Sequence, residues 1–167
     1  IACTGILTSY LSDFVKVSED YVVNKIDRTD VYSPNGSSVS IKLKKNFIVD
    51  RTLFDSHFAE VAESNGAKIH VNRKLVSLNN GLMKFQKGRD VRSEVIVGAD
   101  GPNSVVGRSA GIFGDRNFVV GHQARVKLKE KIDSNVVEFF LNEGNYIGWL
   151  VPEDERVVRL GVASPVG

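Results

Sequence analysis

The residues with the clearest chemical potential lie between Val95 and Gly111. An apolar run, Val95-Ile96-Val97, ends in Gly98-Ala99-Asp100-Gly101-Pro102, and a helical stretch from Asn103 to Ala110 follows. Small residues at a sharp strand-to-helix turn let a ligand come close to backbone. Gly98 and Gly101 relieve side-chain crowding, and Pro102 suits a first helical position. The exposed amides of such a helix start attract anions, a pyrophosphate among them. Asp100 is itself anionic, so it would meet sugar hydroxyls, a water or those same amides. A plain helix cap at Asp100-Gly101 accounts for the residues equally well.

Three further groups carry chemistry. Arg51 opens a helical stretch after Asp50, where it can face a ligand or pair with Asp55 one turn later, a pair contributing at most about 0.5 kcal/mol. Cys3-Thr4-Gly5 places a lone thiol beside a glycine, and the cysteine serves either as a site residue or as a small core filler. Tyr146, Trp149 and Pro152 cluster in one apolar segment, as a pocket wall or as ordinary sheet aromatics. His57, His70 and His122 share no metal-ligand spacing, and His57 and His122 fit hydrogen-bonded core positions. No nucleophile, base and acid set is present.

The bulk composition excludes several classes. With 42% hydrophobic and 25% charged residues in a chain of 167, one sizeable core is expected. The net charge is +2, with basic residues scattered among acids, which argues against a nucleic-acid partner. One cysteine excludes an internal disulfide framework and fits a reducing cytoplasm. No stretch reaches the ~18 apolar residues of a membrane span, and no signal-peptide pattern opens the chain. The Asn35-Gly36-Ser37 sequon sits in a turn-forming context.

The elements that must hold these residues follow from periodicity and turn chemistry. Two strands between Tyr21 and Val49 meet at Ser33-Pro34-Asn35-Gly36, a β-hairpin. Leu53, Phe54, Phe58, Val61 and Ala62 predict a helix over 51–65, stopped by Asn65-Gly66. Short strands are expected at Lys68–Val71, Lys74–Leu78 and Leu82–Phe85. Val95–Val97 reads as an interior strand buried on both faces. From Val119 the alternation of apolar and polar residues predicts an antiparallel sheet, with one side of Val120, His122, Ala124, Val126 and Leu128 toward a core. Val136–Leu141, Tyr146–Val151 and Arg156–Ala163 continue it, with turns at Asn142-Glu143-Gly144 and Glu153-Asp154.

Taken whole, Val95 to Gly111 resembles the second fingerprint of flavoproteins related to aromatic hydroxylases and geranylgeranyl reductases. There an apolar strand leads into Gly-Ala-Asp-Gly and then Ser, Arg and Gly; Gly98, Ala99, Asp100, Gly101, Ser104, Arg108 and Gly111 fill those positions here. Ile48 to Asp55 is similar to the family's segment in which an arginine starts a helix near the flavin. Ile1 to Ile6 resembles its Cys-x-Gly segment, and Tyr146 to Pro152 resembles the aromatic segment beside the isoprenoid pocket. That last match departs from the family at Val151 and at Glu153-Asp154, where phenylalanine and a lysine-glycine pair are common.

The resemblance implies an α+β flavoprotein piece. Residues 1–112 would be part of an FAD/NAD(P)-binding Rossmann-like domain, and 113–167 an incomplete antiparallel substrate-binding sheet. It implies FAD as cofactor against Cys3, Gly5, Arg51, Gly98, Asp100 and Gly101, with an isoprenoid lipid against Tyr146, Trp149 and Pro152. NAD(P)H or ferredoxin would donate electrons, and the place of action would be cytoplasmic or peripheral to a membrane. No Gly-x-Gly occurs in the chain, and it stops before the family's later Gly-Asp segment, so an internal piece, inactive when isolated, is the expectation. A flavin monooxygenase of the aromatic hydroxylase type, or a non-catalytic binder of hydrophobic ligands, are the alternatives.

Overall fold

A computed structural model describes residues 3–144 and 146–165. Ile1 and Ala2 of the N-terminal motif therefore lie outside the described residues. The chain divides into two compact units, one built from residues 1–64 and 117–167 and the other from 65–116.

The larger unit is a seven-stranded sheet. Strands β1 (Ile6–Leu7), β2 (Val22–Tyr32) and β3 (Ser38–Val49) come first, followed by helix α1 (Arg51–Ser64). The smaller unit supplies β4 (Leu75–Asn79), β5 (Leu82–Phe85), β6 (Val91–Arg92) and helix α2 (Val105–Ser109). The chain then returns through β7 (Val119–Lys127), β8 (Val136–Leu141), β9 (Ile147–Pro152) and β10 (Val157–Pro165). The order in the large sheet is β1-β3-β2-β8-β9-β10-β7, and all neighbours are antiparallel except β2 and β8. β4, β5 and β6 form a separate three-stranded sheet.

The hairpin and α1 form as their sequence predicts. Asp50 caps α1 by accepting from the amides of Thr52 and Leu53 at 2.8 and 3.2 Å. The helix packs Phe54 edge-on to buried Tyr21, with ring centroids 5.2 Å apart. His57 joins this aromatic group at 5.3 Å from Tyr21. A core of Ile26, Ile48, Val137 and Val151 lies on one face of the sheet, with Leu43, Phe139 and Trp149 packed against it.

Several expectations need correction. Val95–Val97 forms no strand, and Val95 and Val97 are 78% and 86% exposed. An apolar run is buried on both faces only where sheet neighbours and covering layers exist, and the described residues of this unit offer it none. Lys68–Val71 is likewise unpaired. On β7 the alternation does not mark a buried face: Val120 is 44% exposed, and His122 is exposed rather than set in a core. Within the larger unit the N-terminal hairpin joins the C-terminal strands through the β2–β8 pairing. The described structure is mostly sheet with few helices.

Candidate functional site

An open cleft of about 500 Å³ in the larger unit gathers Cys3, Asp50, Arg51, Gln123, Arg125, Glu153 and Arg159. Its wall is built on one buried cation. Arg159 sits in the apolar run of β10 and is only 8% exposed. Such a guanidinium must be fully partnered. Its Nη1 donates to the carbonyls of Thr4 and Val49 at 2.9 and 3.0 Å, and its Nε donates to Glu153 Oε1 at 2.8 Å. Glu153 Oε2 accepts from Arg125 Nε at 2.6 Å. Burial would raise the Glu153 carboxyl, yet the hydrogen bonds from Arg159 and Arg125 outweigh it and hold the group below the usual carboxylate range.

Gly5 makes this clamp possible. It is buried at φ +71°, and a Cβ there would lie 2.2 Å from Arg159 Nη1 and 2.5 Å from the Val49 carbonyl. Its own carbonyl accepts from the Val49 amide at 2.9 Å, which ties the Cys3–Gly5 segment to the end of β3. Cys3 Sγ accepts from the Gly5 amide and from Arg51 Nη1, each at 3.4 Å. Arg51 also grips Asp55 through Nε and Nη2 at 3.0 and 3.1 Å, so the ion pair and the cleft-facing contact coexist. The Asp55 hydrogen bond, then that of Cys3, raises the Arg51 pKa further.

A smaller nook of about 220 Å³ adjoins the cleft at Cys3 and Gln123 and is walled by Trp149. Trp149 stands in register with Phe139, Phe139 with Val31, and Val31 with Val39, so all four share one sheet face. Ile147 and Leu141 form the next pair on that face and are 37% and 46% exposed; Val39 is 62% exposed. An apolar strip therefore leads away from the nook across four strands, about 14 Å at usual strand spacing. Tyr146 immediately precedes β9 and is 48% exposed, and Pro152 is fully buried, its carbonyl accepting from Asn24 Nδ2 at 2.9 Å.

The Gly98–Gly101 turn belongs to the smaller unit. Gly101 has φ +77° with open space around it, and a Cβ on Gly98 would meet Val106 at 2.8 Å, so this glycine admits α2 against the turn. Asp100 accepts from the amides of Val105 and Val106 at 2.7 and 3.1 Å and from the Ser104 hydroxyl. These bonds, Ser104 first and then Val106, hold its carboxyl below the usual range. Ser104 is the N-cap of α2, accepting from the Gly107 amide at 2.7 Å, and Asp100 supports the same helix start through the next two amides.

Gln123, Arg125, Glu153 and Arg159 escape a motif-based reading. The signal that could find them is an arginine inside Val157-Val158-Arg159-Leu160, which demands a buried acid, with Glu153 six residues earlier. Among the described residues no group of three or more His, Cys, Asp or Glu could hold a metal ion, and no helix is long and apolar enough to cross a membrane.

No family model matches the chain. It is 28% identical to the digeranylgeranylglycerophospholipid reductase of Methanosarcina acetivorans over 95% of the chain and 43% of that protein. Against the reductase of the same name from Methanothrix thermoacetophila the identity is 30%, covering 95% of the chain and 45% of the relative. Among solved structures, a geranylgeranyl bacteriochlorophyll reductase-like protein from Thermoplasma acidophilum superposes with a TM-score of 0.81 at 20% identity, covering 98% of this chain and 47% of that one. The oxygenase of 2-methyl-3-hydroxypyridine-5-carboxylic acid gives 0.64 at 21% identity, covering 86% and 42%. The chain spans less than half the length of the curated relatives it matches. Nearly all of it is thus homologous to a part of the digeranylgeranylglycerophospholipid reductases.

Proposed function

We propose that the chain is the lipid-facing part of an FAD-dependent reductase that saturates isoprenoid double bonds, such as those of geranylgeranyl lipids. The observation that carries this reading is continuity within one unit. The cleft at Cys3 and Arg51 shares Cys3 and Gln123 with the nook, and the nook's Trp149 shares a sheet face with the apolar strip of Phe139, Val31 and Val39. The homologues' name, a reductase of a digeranylgeranyl lipid, supports it.

The cleft's residues fit part of a flavin. Its volume lies in the range of small-molecule sites, and Arg51 offers a fixed cation beside Cys3 and Gly5. By family resemblance, Gly98, Asp100 and Gly101 in the smaller unit would also be FAD-binding residues, within a Rossmann-like domain. Bound flavin would supply the hydride. The chain's own residues would align the alkene: Trp149 and the strip hold the hydrocarbon, exposed Tyr146 adds an aromatic ring next to β9, and buried Pro152 stiffens the strand. NAD(P)H or ferredoxin would reduce the flavin, and action would be cytoplasmic or peripheral to a membrane. The 167-residue chain by itself would be inactive and would not retain FAD on desalting.

The likeness to an oxygenase favours a second reading, a flavin monooxygenase. One assay separates the readings: a protein carrying the relatives' full length is given FAD, a chemical reductant and a digeranylgeranyl phospholipid, and the lipid is weighed by mass spectrometry. A hydrogen pair gained per double bond is expected. Oxygen incorporation would identify a monooxygenase, and bound but unchanged lipid a non-catalytic binder.

A further inference from the structure

We propose that Gln123 is the positioning residue of the cleft: its single side-chain amide holds the Trp149 indole and the Cys3 backbone together, so that ring surface rather than N–H meets the ligand. This deepens the reading above and rests on a ligand occupying that cleft. Gln123 on β7 stands opposite Gly161 on β10, which stands opposite Trp149 on β9. The middle position carries no side chain, and a Cβ there would lie 2.4 Å from indole ring carbons. The indole leans across this gap and donates Nε1–H to Gln123 Oε1 at 2.9 Å. From the other end of the same amide, Nε2 donates to the Cys3 carbonyl at 2.9 Å.

A side-chain amide provides an acceptor and a donor on one rigid plane, a combination that a carboxylate or a hydrocarbon cannot offer. With its N–H turned to Gln123, the indole offers the nook of Cys3, Thr4 and Gly121 an apolar surface. That end of the cleft therefore selects hydrocarbon over a polar group, which would find no indole donor to offset its lost hydration. The same amide fixes the distance between the Trp149 wall and the segment carrying Cys3.

The chain has one tryptophan and one cysteine, so each wall reports separately. In Gln123→Leu, acrylamide quenching of Trp149 and labelling of Cys3 by a disulfide reagent should both rise roughly fivefold, the weight of one net hydrogen bond. Gln123→Glu keeps the acceptor and loses the donor, so Cys3 labelling should rise while quenching stays near the unmodified level. Val158→Ala shortens a buried core side chain and serves as a matched loss of Tm. The proposal is overturned if Gln123→Leu moves the two signals no more than Val158→Ala does, or if Gln123→Glu shifts both together. These measurements need neither flavin nor lipid, so failure of the reductase assay would defeat the proposed function and leave this result standing.

Discussion

Gly5 in the larger unit and Gly101 in the smaller both adopt a left-handed backbone, at φ +71° and +77°, within motifs that look alike as strings of small residues. Their surroundings differ completely. Gly5 is enclosed by a buried arginine and a carbonyl, so its missing side chain is a packing requirement. Gly101 has nothing within 4 Å of where a Cβ would sit, so only its dihedral is required. A glycine motif therefore does not announce whether it serves packing or turning; the atoms around it decide.

The comparison breaks first under alanine. Gly5→Ala should lower stability by about 3 kcal/mol, from strained φ plus an overfilled site. Gly101→Ala should cost about 1 kcal/mol, the backbone penalty alone. Urea unfolding of both variants checks this, and equal losses would show that the Arg159 clamp does not require the space that Gly5 leaves.

Two carboxylates sharpen the contrast through pH. The folded pKa of Glu153 is depressed, so the stability it contributes is present above the unfolded carboxylate range and is lost as pH falls through the depressed value. Glu138 is raised, first by burial and then by Asp30, with Arg28 opposing. Its favourable contribution is present below the unfolded value and is lost as pH rises through the raised one. Glu153→Gln should therefore destabilise at pH 7 and flatten the acid limb below about pH 4, whereas Glu138→Gln should modestly stabilise at pH 7. Thermal midpoints across an acid titration give both signs.

The smallest effect is expected at Asp100. Because its carboxylate supports the start of α2, Asp100→Ala should speed amide exchange at Val105 and Val106 with little change in global unfolding. Unchanged exchange there would show that the Asp100 carboxylate does not hold the start of α2.

Much of this arrangement is written locally. Pro34-Asn35-Gly36 makes the hairpin, Asp50 starts α1, and the turns at Gly144 and Asp154 divide β8 to β10. Arg51 and Cys3 are legible as a pair only through family resemblance, since 48 residues separate them. The parallel pairing of β2 with β8 leaves no local trace, because register between distant strands is set by which apolar faces meet. Val95–Val97 misleads for the reverse reason: three apolar residues look the same whether or not a sheet receives them.

That β2–β8 pairing also sets an order of events during synthesis. Residues 28–32 emerge early but find their partners at 136–140 only after the whole 65–116 unit has been made. At about 5–20 residues per second the hairpin waits on the order of ten seconds with one long edge unpaired. Its apolar strip of Val31, Val39 and Ile41 is open meanwhile, so the nascent chain carries its greatest risk of association before β8 appears. The 65–116 unit, itself compact, is made entirely within that interval, which makes its length a timer for closure of the larger sheet.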